Sequence, residues 1–163
     1  MIKFSKAFWV ANSVELLERL AFYAVFIVIT LYLSNVWGFT DIQAGLISGF
    51  YSASLYLLPT FAGALSDKMG FRNSILLAFA LLTIGYAGLA ILPTMLQSAG
   101  LVSYGMTTTF TGLIGSYQQW SIIPILIIAA IGGAFIKAVI SGTIARETTT
   151  ETRARGYAIF YMM

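Results

Sequence analysis

The 163-residue chain has no cysteine and no histidine. The first absence removes disulfides and thiol chemistry. The second removes the commonest metal ligand and the side chain that ordinarily titrates near neutral pH. Any proton chemistry therefore falls to carboxylates or lysines. Charge is scarce too: 9% of residues are Asp, Glu, Lys or Arg, against roughly 25% in soluble domains. No metal-ligand cluster, phosphate-cradling glycine loop or nucleophile with a base is present. Enzymatic catalysis, bound metal and bound cofactor are accordingly not expected. The net charge of +3 is small and lies mostly in loops, where it speaks to membrane orientation and not to nucleic acid.

What the chain has in abundance is apolar surface. It is 59% hydrophobic, with a mean hydropathy of +0.88. That composition predicts an all-α integral membrane protein, multi-pass, in contact with the lipid bilayer. A helix needs about 20 apolar residues to cross a bilayer. Four stretches qualify, at about residues 7–34, 42–65, 74–92 and 122–145, and residues from about 156 read as the opening of a fifth helix. Lys3 and Lys6 before an apolar run resemble a signal peptide. The run continues past Glu15, Glu18 and Arg19 with no small-residue cleavage site, so a retained helix is expected. Residues 1–163 are expected to be the N-terminal part of a longer bundle.

Local signals add detail. Residues 35–38 break the first run, and Asp41 is an expected N-cap. Gly45, Gly49 and Ala53 form a small-residue stripe suited to close helix approach. The third run is expected to stop at Pro93, followed by an uncharged loop over 94–120. Lys3, Lys6, Lys68, Arg72, Arg146, Arg153 and Arg155 all fall on one side of this scheme, which predicts a cytoplasmic N-terminus in a plasma (inner) membrane.

Arg19 and Lys137 do not fit the loop scheme, because they lie within spans, as do Glu15 and Glu18. A charged group at the centre of a bilayer helix costs at least about 2.5–3.5 kcal/mol on insertion scales, so such groups are normally paired and functional. At 100° per residue Asn12, Glu15, Glu18, Arg19, Phe22, Tyr23 and Phe26 share one face, with Glu15 and Arg19 at i,i+4 spacing. Counting about 1.5 Å per residue from the basic ends puts Glu15 and Lys137 level. Lys137 is then expected to pair with the glutamates. A structural ion pair that only locks two helices is the alternative, and it is a weak source of stability.

A second motif, Gly63-Ala64-Leu65-Ser66-Asp67-Lys68-Met69-Gly70-Phe71-Arg72, falls between the second and third runs. It resembles the loop signature of the major facilitator superfamily, with Gly63, Leu65, Asp67, Lys68, Gly70 and Arg72 matching and Phe71 departing. Within that superfamily, Glu15-Leu16-Leu17-Glu18-Arg19 followed by Phe22-Tyr23 resembles the first-helix signature of the proton-coupled oligopeptide transporters. Tyr56-Leu57-Leu58-Pro59, Gly132 with Lys137, and Phe160-Tyr161-Met162 resemble pieces of that family's second, fourth and fifth helices.

The resemblance implies a proton-coupled symporter of di- or tripeptides, driven by a proton gradient without a cofactor, with a second half of the same transporter completing the substrate path. Glu15, Glu18 and Lys137 would be its proton-linked network. Arg19, Tyr23 and Tyr56 would contact substrate. Three departures bear on the substrate: Phe26 stands where the family has a second basic residue, Ala138 where it has a proline after the lysine, and the loop over 94–120 is longer than the resemblance leads one to expect. A facilitator of another small molecule and a non-transporting four-helix scaffold remain alternatives.

Overall fold

The structure, a computed structural model, describes residues 4–101 and 117–162. Lys3 and residues 102–116 of the expected loop lie outside them. Six helices follow in order: α1 (Lys6–Asn35), α2 (Asp41–Met69), α3 (Phe71–Ser98), the single turn α4 (Tyr117–Trp120), α5 (Ile122–Glu147) and α6 (Arg153–Met162). The described residues contain no strand.

The helix ends have local causes. Ser5 caps α1 by accepting the Phe8 N–H at 3.1 Å, and its hydroxyl also donates to the Glu147 carboxylate, tying the start of α1 to the end of α5. α1 ends before Trp37, which is fully buried, and Gly38, whose φ of 69° suits a residue without Cβ. The cap of α2 differs from expectation. It is Thr40, not Asp41, and it forms a reciprocal capping box with Gln43. Asp41 sits in the first turn, where its charge complements the helix dipole. Gly70, with φ 83°, makes the single-residue hinge between α2 and α3.

α3 also departs from expectation. It does not stop at Pro93 but runs through it to Ser98, so residues 94–98 are helical and not loop. A proline inside a helix leaves the carbonyl four residues earlier without its usual N–H. That carbonyl belongs to Leu89, and the Tyr32 hydroxyl of α1 donates to it at 2.5 Å. The neighbouring helix thus supplies the missing donor. Tyr32→Phe is expected to destabilise the α1–α3 contact by about 1 kcal/mol, read as a lower thermal midpoint in detergent, with little change in helix content.

α5 is the central element and packs on α1, α2 and α3. One core gathers Ile29, Leu33, Trp37, Leu55 and Leu126; the other gathers Phe8, Ala134, Ile140, Ile144 and Phe160. Exposed apolar side chains such as Leu17, Leu20, Ile27 and Leu31 cover the outside of α1, as suits a lipid-facing surface. Among the described residues three helices, α1, α3 and α5, are long and apolar enough to cross a membrane. The four expected spans correspond to four long helices, but α2 is more polar than the rest, carrying Ser48, Ser52, Ser54, Tyr51, Tyr56 and Thr60. The expected opening of a further helix is α6, ten residues long.

Close helix approach occurs elsewhere than the expected stripe. A Cβ added at Gly45 or Gly49 would meet nothing within 4 Å. One added at Gly85 would lie 2.7 Å from Ala129 Cβ, and one at Gly132 only 2.8 Å from the Leu82 backbone nitrogen. The glycine-mediated seam therefore joins α3 to α5.

Candidate functional site

A hollow of about 510 Å³ opens between α1, α2, α5 and Phe160 near the end of α6. α1 contributes Glu15, Glu18, Arg19, Phe22 and Tyr23, spaced three and four apart so that one helical face presents them all. α2 contributes Tyr56, Pro59 and Thr60, and α5 contributes Lys137 and Ser141. The six residues expected to form a proton-linked and substrate-binding site thus line one cavity.

The charged groups divide into two arrangements. Arg19 Nε donates to Glu15 Oε1 at 2.8 Å, the expected i,i+4 pair, with the Glu15 side chain almost fully enclosed and Arg19 about a third exposed (32%). Lys137 does something other than expected. Among the described residues it makes no ion pair with a glutamate; its Nζ lies 5.2 Å from the Tyr56 ring centre and 5.5 Å from that of Phe22. An ammonium held over two aromatic faces is stabilised by the ring quadrupoles, by roughly 0.5–2 kcal/mol depending on desolvation. It shares the cavity with the carboxylates without touching them.

Glu15 and Glu18 are buried, and Oε2 of each lacks a hydrogen-bond partner. Asn12, one turn earlier on the same face, is fully buried; its amide donates to Phe8 O at 2.8 Å while Oδ1 is unpartnered. Three buried acceptor oxygens in succession are costly unless a proton, a water or a ligand satisfies them. This face is thus built to receive donors. Tyr23 and Tyr56 are exposed at the cavity rim.

Sequence reasoning missed two neighbours of Lys137. Gly133 and Ser141 lie one turn before and after it, and a Cβ at Gly133 would come 2.9 Å from Leu55 and 3.7 Å from Glu18 Oε1. The four-residue period Gly133–Lys137–Ser141 was the available signal. Gly132, which the resemblance linked to Lys137, instead faces Leu82 of α3. The second motif stands apart from the charged cavity except at Gly63. Gly63, Asp67 and Gly70 line a separate hollow of about 450 Å³ with Arg146 and Tyr157, while Lys68 and Arg72 are exposed.

A bundle of long apolar helices enclosing a charged, partly unsatisfied cavity defines an all-helical integral membrane protein with an internal polar site. The chain is 32% identical over 108 residues to dipeptide and tripeptide permease A of Salmonella typhimurium and of Escherichia coli, covering 66% of this chain and 21% of each relative. It is 33% identical over 110 residues to dipeptide and tripeptide permease B of Photorhabdus luminescens, covering 66% and 22%. The chain therefore spans about a fifth of the length of these relatives. No family model and no solved structure matches it. The chain is a homologue of the dipeptide and tripeptide permeases, which belong to the proton-coupled oligopeptide transporter family that its motifs resemble.

Proposed function

We propose that the chain forms the N-terminal part of the helix bundle of a proton-driven symporter of small peptides, with its basic end cytoplasmic. The observation that carries this reading is the shared cavity of Glu15, Glu18, Arg19, Tyr23, Tyr56 and Lys137. In this mechanism Glu18 takes up the coupled proton. Glu15 holds Arg19 through the 2.8 Å contact and releases it when substrate or a proton competes. Lys137 is poised on the aromatic faces of Phe22 and Tyr56, free to move onto a carboxylate as the charge state changes. Breaking and remaking such contacts between helices biases the bundle between two packings, which links proton to substrate movement. Arg19 and Lys137 suit a peptide carboxylate, and the tyrosines suit its apolar and amide groups.

A second half of the transporter, packed over the open side of the cavity, completes the path. The test is uptake of a labelled dipeptide by proteoliposomes holding the protein. An inward proton gradient should drive accumulation, and unlabelled di- and tripeptides should compete. Phe26, stacked on Phe22 at 5.5 Å where the resembled family has a cation, favours a second reading, a less acidic substrate. Gradient-driven transport that no peptide inhibits would select it.

A further inference from the structure

A smaller hollow of about 290 Å³ lies on the other flank of α1, away from the charged cavity. Its walls are apolar: Ala7, Val10 and Val14 of α1, Phe71 and Ile75 of α3, and Ile140 of α5. From Ala7 to Val14 it extends about 10 Å along the helix. At its end the character changes, because Arg146 and Glu147 line the mouth.

Each of the three helices that wall this groove carries a cation at the same end. Lys6 precedes Ala7, Arg72 follows Phe71, and Arg146 is itself a lining residue. All three are exposed, and among the described residues Arg146 makes no ion pair. The carboxylate lining the mouth, Glu147, already accepts the Ser5 hydroxyl. Lys6, Arg72 and Arg146 outnumber Glu147 and Asp67, the latter lining the adjacent hollow with Arg146, and leave the mouth positive above a mostly apolar slot.

We propose that this groove is a binding site for an anionic phospholipid, with part of one acyl chain lying along Val10, Val14 and Ile75 and the phosphate held at Arg146. The argument is charge complementarity joined to an apolar slot of matching direction. The headgroup meets the cations at the membrane surface and the chain descends between helices. A basic residue near an anionic lipid surface contributes about fivefold in binding.

Native mass spectrometry of the chain in detergent, titrated with phosphatidylglycerol or with phosphatidylcholine of the same acyl chains, tests the site. Phosphatidylglycerol adducts should outnumber phosphatidylcholine adducts several-fold. Arg146→Gln should lower phosphatidylglycerol retention about fivefold and lower phosphatidylcholine retention less, because the choline cation offsets the latter's phosphate, while Arg146→Lys restores the excess of phosphatidylglycerol. Val10→Trp, at an exposed groove wall, should lower both, and glycerol phosphate should displace neither. Equal retention of the two lipids, or an Arg146→Gln chain that holds phosphatidylglycerol as well as the parent, overturns the proposal. So does displacement by glycerol phosphate, which would mark an anion site without a lipid groove. Circular dichroism of each variant separates lost binding from lost fold.

Discussion

Glu18→Gln is expected to reduce gradient-driven dipeptide accumulation to the level reached by simple equilibration, while exchange of internal for external dipeptide continues. Glutamine keeps the shape and hydrogen-bonding reach of the carboxyl but cannot load and release a proton. Glu18 is buried, faces the cavity, and has an oxygen with no partner, so the amide of the glutamine has room there and breaks no existing hydrogen bond at that oxygen. Exchange needs the binding groups and the bundle motion but no net proton movement, and those remain. Glu15→Gln should behave differently. It weakens the 2.8 Å contact to Arg19, a charge-assisted bond stronger than its neutral counterpart, and frees the guanidinium. The main effect is then on substrate affinity, seen as a changed half-saturation concentration in exchange. The paired measurement is concentrative uptake and counterflow in the same proteoliposomes. Uphill accumulation by the Glu18→Gln protein would remove Glu18 from the coupling role, and loss of both activities would show that it positions the substrate instead.

The long helices were legible because apolar runs of 20 or more residues leave few alternatives, and the grouping of Glu15, Glu18, Arg19 and Lys137 followed from helical period and depth. Three features were not legible, each because it depends on a neighbour in space. Pro93 reads as a stop until Tyr32, 57 residues before Leu89, is seen to donate to the Leu89 carbonyl that the proline orphans. Lys137 reads as a partner for glutamate, since intramembrane charges usually pair. Phe22 and Tyr56 hold it instead, because two ring faces converge there from α1 and α2. The stripe of Gly45, Gly49 and Ala53 has the right spacing for helix contact, yet no helix lies against Gly45 or Gly49 among the described residues. Spacing shows that a close approach is permitted; only the packing partner decides whether it occurs.

Gly132→Val is accordingly expected to give the largest loss of stability. A Cβ at this position would sit 2.8 Å from the Leu82 backbone nitrogen and 3.0 Å from Leu82 Cγ. Backbone cannot rotate aside as a side chain can, so α3 must move off α5. Overpacking of a tight contact typically costs about 1–3 kcal/mol, and the branched side chain adds two further methyl groups to the clash. The adjacent Gly133 faces Leu55 and Glu18, so any rotation of α5 that relieves the clash at α3 also shifts Glu18 and Lys137 in the cavity. The variant should therefore lose both thermal stability and substrate binding. Gly49→Ala, where a Cβ meets nothing within 4 Å, serves as the control; it should match or slightly exceed the parent, since alanine favours helix over glycine by about 1 kcal/mol. Thermal melts in detergent distinguish the two. An unchanged midpoint for Gly132→Val would mean that α3 and α5 do not meet along this seam, and a large drop for Gly49→Ala would mean that another helix covers the stripe.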